Sequence, residues 1–197
     1  MLPEPIAVTL MVTETLEMLS IPYLTGGSLA SAVHGVARAT MDTDLVADLR
    51  PEHAEPLARA LSRSFYVDTE SIREAIRHRS SFNVIHLATM FRVDIFVPQQ
   101  RPFDRSQLGR RAEYIVATDP KRAIYVASAE DIVLAKLEWY RLGGEVSERQ
   151  WRDVLGVLKV QGKRLDMAYL RLWAGELGVT DLLESALVET ETGQGSQ

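Results

Sequence analysis

Apolar residues recur along the chain with two different periods, and the change between them divides the sequence. Up to about residue 127, short apolar stretches alternate with turn residues and amphipathic segments, which predicts strands and helices in one mixed unit. From residue 128 onward, apolar positions recur every three or four residues, which predicts helices alone. We therefore expect an α+β fold, with a small mixed β-sheet core flanked by helices and a C-terminal helical subdomain.

The same patterns give the expected boundaries of these parts. The core is expected at residues 1–127, the helical subdomain at residues 128–189 and a polar, disordered tail at residues 190–197. Within the core, the spacing of apolar and turn residues predicts helices over 4–19, 28–35 and 51–63, and strands over 21–24, 42–49, 81–87, 91–97 and parts of 111–127. The strands at 81–87 and 91–97 are separated by three residues only, which predicts a hairpin.

Composition and charge exclude several classes of protein. The 197 residues include no cysteine, which excludes disulfides, thiolate zinc sites and cysteine nucleophiles. A net charge of -5 argues against a general nucleic-acid coat, although a local basic patch stays open. No apolar run approaches the roughly 18 residues of a membrane helix, and the N-terminus lacks the basic start of a secretory signal. We expect a cytoplasmic protein with no membrane partner.

The first chemical signal is the pair Asp42 and Asp44 at the start of a predicted strand. Alternate strand residues share a face, so both carboxylates point the same way about 7 Å apart, and they repel unless a cation lies between them. Hard oxygen ligands of this kind suit Mg²⁺. The spacing alone is not specific, because roughly four such acid pairs are expected by chance in so acidic a chain and three occur.

Context distinguishes this pair from the other two. About 15 residues earlier, Gly26, Gly27 and Ser28 form a turn between a predicted strand and a predicted helix. Glycines let the backbone approach a ligand closely, and a helix N-terminus offers free N–H groups to a phosphate. A turn with no ligand is the simpler explanation of two glycines. A phosphate cradle and a carboxylate pair within one short segment together indicate a nucleotide site.

A third acid, Asp94, lies inside an apolar strand at residues 91–97. An acid there is costly to bury unless it is paired or bound to a metal; the alternative is an edge strand with one face in water. If this strand lies beside the one that carries Asp42 and Asp44, three carboxylates converge. Such convergence is what two-metal phosphoryl transfer requires.

At these residues the sequence resembles the DNA polymerase β-like nucleotidyltransferase superfamily. The shared pattern is a Gly-Gly turn, a short helix, Asp-x-Asp on the next strand and a later lone Asp, which here are Gly26-Gly27, Asp42/Asp44 and Asp94. The longer string GGSxAxxxHGxxRxTxDxDLV is similar to two branches. One contains the nucleotidyltransferase-type toxins of type IV (abortive infection) toxin–antitoxin systems, which we take as the nearer, and the other the small antibiotic nucleotidyltransferases.

The resemblance implies transfer of a nucleoside monophosphate from an NTP, most simply ATP, to an acceptor. In that case Asp42 and Asp44 would hold two Mg²⁺ ions (Mn²⁺ being an alternative), and Asp94 would bind the ion that activates the acceptor. Nucleotide contacts would come from Gly26, Gly27, Ser28, Arg38 and Lys136. The acceptor stays open between tRNA or other RNA, a protein and a small hydroxylated antibiotic, and a cognate antitoxin is a candidate partner. An inactive binding module on the same fold is the remaining alternative.

Several residues of this pattern have a simpler structural explanation. Arg38 can belong to a surface ion pair, and Lys136 can be an ordinary charged residue of an amphipathic helix. We expect His34 to be packed in the interior, and Arg152 and Asp153 to form a structural pair that orients the C-terminal helices.

Overall fold

The computed structural model describes residues 2–35 and 42–192, and the chain divides into two compact units. In the described chain, the first unit contains residues 2–29 and 42–127, and the second contains residues 30–35 and 128–192. All the described strands belong to the first unit, and from residue 128 onward the described elements are helices. The predicted α+β class is therefore confirmed.

The helices and strands up to residue 127 follow the predicted order, with additions. They are α1 (Glu4–Met18), β1 (Tyr23–Thr25), α2 (Gly27–His34), β2 (Asp42–Ala47), a 3₁₀ turn (Pro51–His53), α3 (Ala54–Leu61), β3 (Phe65–Tyr66), α4 (Thr69–His78), β4 (Ser81–His86), β5 (Arg92–Phe96), α5 (Pro102–Arg110), β6 (Ala112–Thr118) and β7 (Lys121–Val126). The predicted hairpin at residues 81–97 is present, since β4 and β5 are antiparallel neighbours.

Helix α5 was not predicted, and its sequence explains why. Pro102 stands in its first turn, and the backbone N–H of Arg101 is bound by the Asp104 carboxylate at 3.0 Å, so the helix has a capped start. Its buried residues are Phe103, Asp104 and Gln107, two of which are polar. A search for apolar periodicity therefore finds no helix there.

Within the described residues, seven strands form one mixed sheet in the order β3-β4-β5-β2-β1-β7-β6. The β2–β5 and β1–β7 pairs are parallel, and the other neighbouring pairs are antiparallel. Strand β2 lies at the centre, between β5 and β1. The two strands that sequence reasoning assigned to the acidic residues are thus direct neighbours.

One face of this sheet carries the hydrophobic core. Leu45 of β2, Val84 of β4 and Ile95 of β5 are fully buried in one cluster with apolar side chains of α1, α3 and α4. Alternation then points the intervening residues of the same strands to the opposite face. That opposite face is where the acidic residues of β2 and β5 lie.

The second unit contains the C-terminal helices and the residues of α2 from position 30 onward. The helices are α6 (Ala129–Leu142), α7 (Glu148–Gln161), a 3₁₀ turn (Gly162–Arg164), α8 (Met167–Glu176) and α9 (Thr180–Thr192). Ser128, Ser147 and Asp166 cap α6, α7 and α8 with their side chains. None of the helices in the described ranges is long and apolar enough to span a membrane.

Helix α9 extends two residues beyond the predicted start of the tail at residue 190. The Thr190 and Thr192 hydroxyls donate to the carbonyl oxygens of Ala186 and Val188, four residues earlier. These bonds satisfy polar side chains inside the last turns, so a polar sequence continues as helix. Residues 193–197 lie outside the described part of the chain.

Candidate active site

The Asp-x-Asp segment forms the start of the central strand β2. Asp42 and Asp44 are partly exposed, whereas Thr43 between them is fully buried on the core side. The Thr43 hydroxyl lies 3.0 Å from that of Thr9 on α1, and the Thr9 hydroxyl donates to the carbonyl oxygen of Pro5 at 2.6 Å. The strand that presents the two carboxylates is therefore fastened to α1 from behind.

Asp94 stands directly beside Asp44. The two residues are register partners in the parallel β2–β5 pair, so their side chains emerge on the same face of neighbouring strands. The side chain of Asp94 is 19% exposed. The expectation that the strand of Asp94 lies beside that of Asp42 and Asp44 is confirmed, which rules out the alternative of an edge strand for β5.

Arg92 joins two of the three acids. Its guanidinium nitrogen Nη2 lies 3.0 Å from Oδ2 of Asp94 and 3.5 Å from Oδ2 of Asp42. Burial raises the pKa of the Asp94 carboxyl, the Arg92 charge opposes that rise, and the negative charge of Asp42 adds to it. The Asp94 carboxylate is thus partly shielded from solvent, and its positively charged neighbour is Arg92.

The glycine turn contacts the site through Asp44. The backbone N–H of Gly26 donates to the carbonyl oxygen of Asp44 at 2.9 Å. Gly27 adopts a left-handed φ of 53°, and a Cβ atom built on it would lie 1.6 Å from Oδ2 of Asp44. We predicted that these glycines let a ligand approach the backbone. The structure shows that Gly27 admits the protein's own carboxylate to the start of α2.

Two of the other predicted nucleotide contacts, Ser28 and Lys136, lie within the described residues. Ser28 is the second residue of α2 and is buried, at the turn that reaches Asp44. Arg38 falls within residues 36–41, outside the described residues. Lys136 lies in the second unit, where its Nζ is 2.9 Å from Oδ2 of Asp153 and both side chains are largely buried. The pairing of Lys136 is thus with an acid of α7.

Arg152 and Asp153, which we expected to form a structural pair, each pair with another residue. Asp153 does join two helices, but its partner is Lys136 of α6. Arg152 instead pairs with Glu148 on its own helix at 2.6 Å, with both side chains mostly exposed. Neighbouring residues on a helix point about 100° apart, so only one of the two can face α6.

The three acids of β2 and β5 are the candidate ligands for a metal ion. Asp42, Asp44 and Asp94 offer carboxylate oxygens, the ligand type that Mg²⁺ prefers. Among residues 2–35 and 42–192, no three His, Asp or Glu side chains converge closely enough to hold a metal ion together. The Arg92 guanidinium lies between two of the three acids and acts as a stand-in cation. The ligand chemistry of the three acids fits Mg²⁺, although their side chains do not close around a common point in the described structure.

Sequence reasoning missed Arg92 and the Thr9–Thr43 pair. Arg92 precedes Asp94 by two residues on a strand, so alternation alone predicts that both share a face. The sequence alone therefore indicates that a basic residue, Arg92, lies beside a candidate metal ligand. The bond between Thr9 and Thr43 joins residues 34 apart, and nothing in either local pattern indicates it.

Comparison with known proteins places this geometry in a wider context. No model of a protein family matches the sequence, and no curated protein matches it. Among solved structures, an antigenic nucleotidyltransferase-like protein from Paracoccidioides brasiliensis is 18% identical, with a TM-score of 0.56 over 95% of this chain and 94% of that chain.

Two further structures concern antibiotics. ANT(2'')-Ia in complex with adenylyl-2''-tobramycin is 11% identical, with a TM-score of 0.57 over 87% of this chain and 95% of that one. The lincosamide antibiotic adenylyltransferase LnuA, bound to lincomycin, is 15% identical, with a TM-score of 0.52 over 81% of this chain and 98% of that one. At these identities the likeness is one of fold, and the chain has the fold of these nucleotidyltransferases.

Proposed function

We propose that this protein is a nucleotidyltransferase that moves a nucleoside monophosphate from an NTP to an acceptor hydroxyl. The observation that carries the proposal is the register of Asp44 and Asp94 on adjacent parallel strands, with Asp42 on the same face. A glycine turn at the start of α2 lies directly against Asp44, so the helix N-terminus and its partial positive charge are beside the carboxylates. Three carboxylates and an anion-binding turn are the parts that phosphoryl transfer needs.

In the proposed reaction, Asp42, Asp44 and Asp94 would hold divalent cations. When bound, Mg²⁺ would supply positive charge against the triphosphate and the leaving pyrophosphate. The acceptor oxygen forms a bond to the α-phosphorus, the bond between that phosphorus and the bridging oxygen breaks, and pyrophosphate leaves with the bond's electron pair. Asp94 takes the acceptor's proton, because its carboxylate lies beside Asp44 on the face of the sheet where the acceptor oxygen would attack.

Among acceptors, a small hydroxylated molecule is the candidate that a specific observation favours. Two structures with this fold, ANT(2'')-Ia and LnuA, contain an adenylylated or intact antibiotic, and the likeness covers 95% and 98% of their lengths. Transfer to tRNA or to a protein would instead be the activity of the toxin-like branch, with an antitoxin as its partner. The experiment below separates these acceptors.

The test measures transfer of label from each α-³²P-labelled NTP, with MgCl₂, to tobramycin, lincomycin, tRNA or total cell protein. We expect label to appear on one acceptor class with release of pyrophosphate. Asp42→Asn and Asp94→Asn are expected to lower the rate at least about 100-fold, since each removes a charge needed in the transition state. Asp48→Asn, which removes an acid just past the end of β2, is the matched control and is expected to retain the activity.

A folded wild-type protein without NTP affinity would contradict the proposal. Calorimetry with ATP and MgCl₂ gives this measurement independently of the acceptor. That result would identify the chain as a binding module on the nucleotidyltransferase fold.

A further inference from the structure

Arg92 occupies the position between two facing carboxylates. A single nitrogen, Nη2, reaches Oδ2 of both Asp42 and Asp94, at 3.5 Å and 3.0 Å. Arg92 is the register partner of Asp42 on β2, and Asp94 follows it by two residues on the same face of β5. The guanidinium is therefore directed at the carboxylates by the strand itself, and no loop has to fold over the site.

The backbone of Arg92 is fixed while its side chain is not. Its neighbours Phe91 and Val93 are buried in the core, and β5 is paired on one side with β2 and on the other with β4. The Arg92 side chain is 50% exposed. Movement at this position is thus confined to the side chain, which can leave the carboxylates without disturbing the sheet.

The electrostatic balance favours an exchangeable cation. Asp42 and Asp94 both lie within reach of one nitrogen of Arg92, so their negative charges are close enough to repel each other. A guanidinium relieves this repulsion, since it keeps its charge at any ordinary pH. The Arg92 end of both pairs is half exposed and screened by solvent, so a doubly charged cation can replace Arg92 at small cost.

We propose that Arg92 is a positioning residue that holds Asp42 and Asp94 together in the metal-free protein and is displaced when a divalent cation binds. The inference rests on the proposed function, because it takes both acids to be metal ligands. A free cation must compete with the guanidinium. The triphosphate of an incoming NTP gives Arg92 another anion to bind, so metal binding is weak alone and strong together with nucleotide.

The test uses Mn²⁺ without nucleotide as the probe. Isothermal calorimetry and the electron paramagnetic resonance signal of free Mn²⁺ give its affinity for wild type, Arg92→Gln and Arg92→Lys. We expect Arg92→Gln to bind Mn²⁺ roughly two- to thirtyfold more tightly than wild type, the range that the loss of two solvent-screened ion pairs implies. Arg92→Lys keeps the positive charge and is expected to stay near the wild-type affinity.

A control separates competition at the site from the change in net charge. Arg59→Gln removes the same charge from α3, which packs on the opposite face of the sheet, and is expected to leave the Mn²⁺ affinity unchanged. In EDTA, Arg92→Gln is expected to melt below wild type because the Arg92 charge no longer offsets the repulsion between Asp42 and Asp94. Added Mn²⁺ is expected to raise its melting temperature by more than it raises that of wild type.

Two outcomes would overturn the inference, and they differ from each other. If wild type binds Mn²⁺ with ATP but Arg92→Gln binds free Mn²⁺ no better than wild type or Arg59→Gln, Arg92 does not compete with the cation and the proposed function stands. If neither wild type nor Arg92→Gln binds Mn²⁺ with or without ATP, the proposed function fails and the inference fails with it.

Discussion

Gly27 and Asp44 approach so closely that the Asp44 carboxylate occupies the space in which any other residue at position 27 would carry its Cβ atom. The overlap involves the carboxylate itself, with Oδ2 only 1.6 Å from the ideal Cβ position. The left-handed φ of 53° at Gly27 adds a second reason for glycine. The position of Asp44 on the central strand therefore requires glycine at position 27 of the turn.

The first prediction concerns Gly27→Ala. Left-handed backbone costs a residue with a Cβ atom about 1 to 2 kcal/mol, and overlap in a packed site costs about 1 to 3 kcal/mol more. We expect a loss of roughly 2 to 5 kcal/mol in the free energy of unfolding, measured by urea denaturation. We also expect loss of Mg²⁺-dependent ATP binding, because Asp44 has to move.

Two other glycines separate these causes. Gly178 has a φ of 68° with open space around it, so Gly178→Ala carries the backbone cost alone, about 1 to 2 kcal/mol. Gly109 is helical and also has open space, so Gly109→Ala is expected to stabilise the protein by up to about 1 kcal/mol. Equal losses for Gly27→Ala and Gly178→Ala would show that the contact with Asp44 is unimportant.

The second prediction concerns the bond between Thr9 and Thr43. Thr9 gives its proton to Pro5, so Thr43 is the donor in the pair. Thr9→Val then leaves the buried Thr43 hydroxyl without its acceptor, at a cost of about 1 to 3 kcal/mol, while the Pro5 carbonyl keeps its helical bond. Thr43→Val leaves Thr9 still bound to Pro5, and we expect it to cost less than about 1 kcal/mol. Thermal denaturation of both variants and of the double variant checks this order, and a reversed order would contradict it.

The third prediction concerns pH. The pKa of Asp94 is raised in the folded protein, mainly by burial, so folding favours its protonated form. The stability that this provides is present at acidic pH, below the pKa in the unfolded chain, and is lost as pH rises through the folded pKa. Asp94→Asn removes the effect, so the variant is expected to gain stability relative to wild type between about pH 3 and pH 7.

Urea denaturation in EDTA at several pH values in this range measures the difference for Asp94→Asn. Asp48→Asn is the control for a general change of charge. A difference between Asp94→Asn and wild type that shrinks as pH rises would contradict the prediction.

Sequence reasoning found the elements of the site because each had a local signature. Alternation placed Asp42 and Asp44 on one face, and an acid in an apolar strand marked Asp94. What the sequence left open was pairing between distant strands: β2 and β5 are neighbours, although some 45 residues separate them along the chain. The contacts that explain Gly27, Thr43 and Arg92 likewise join residues that are far apart along the chain. Helix α5 was not predicted because its buried face is largely polar.

The fourth prediction distinguishes two roles for Lys136. Its ion pair with Asp153 is largely buried, so Lys136→Met is expected to cost about 3 to 5 kcal/mol because the buried carboxylate loses the Lys136 charge. The double variant Lys136→Met/Asp153→Asn is expected to recover much of this loss in urea denaturation. If Lys136 contacts nucleotide, the folded double variant will bind ATP at least about tenfold more weakly. An unchanged ATP affinity would mark the pair as structural.

The parallel pairing of β2 with β5 also sets when the site can form. All residues between the two strands, from the 3₁₀ turn at Pro51–His53 to β4, have to be synthesised before Asp44 can lie beside Asp94. Closing so long a loop is slow compared with forming a helix or hairpin. A nascent chain that has not yet emerged beyond Phe96 therefore carries two of the acids and the glycine turn but no complete site. Completion has to await synthesis of nearly half the chain.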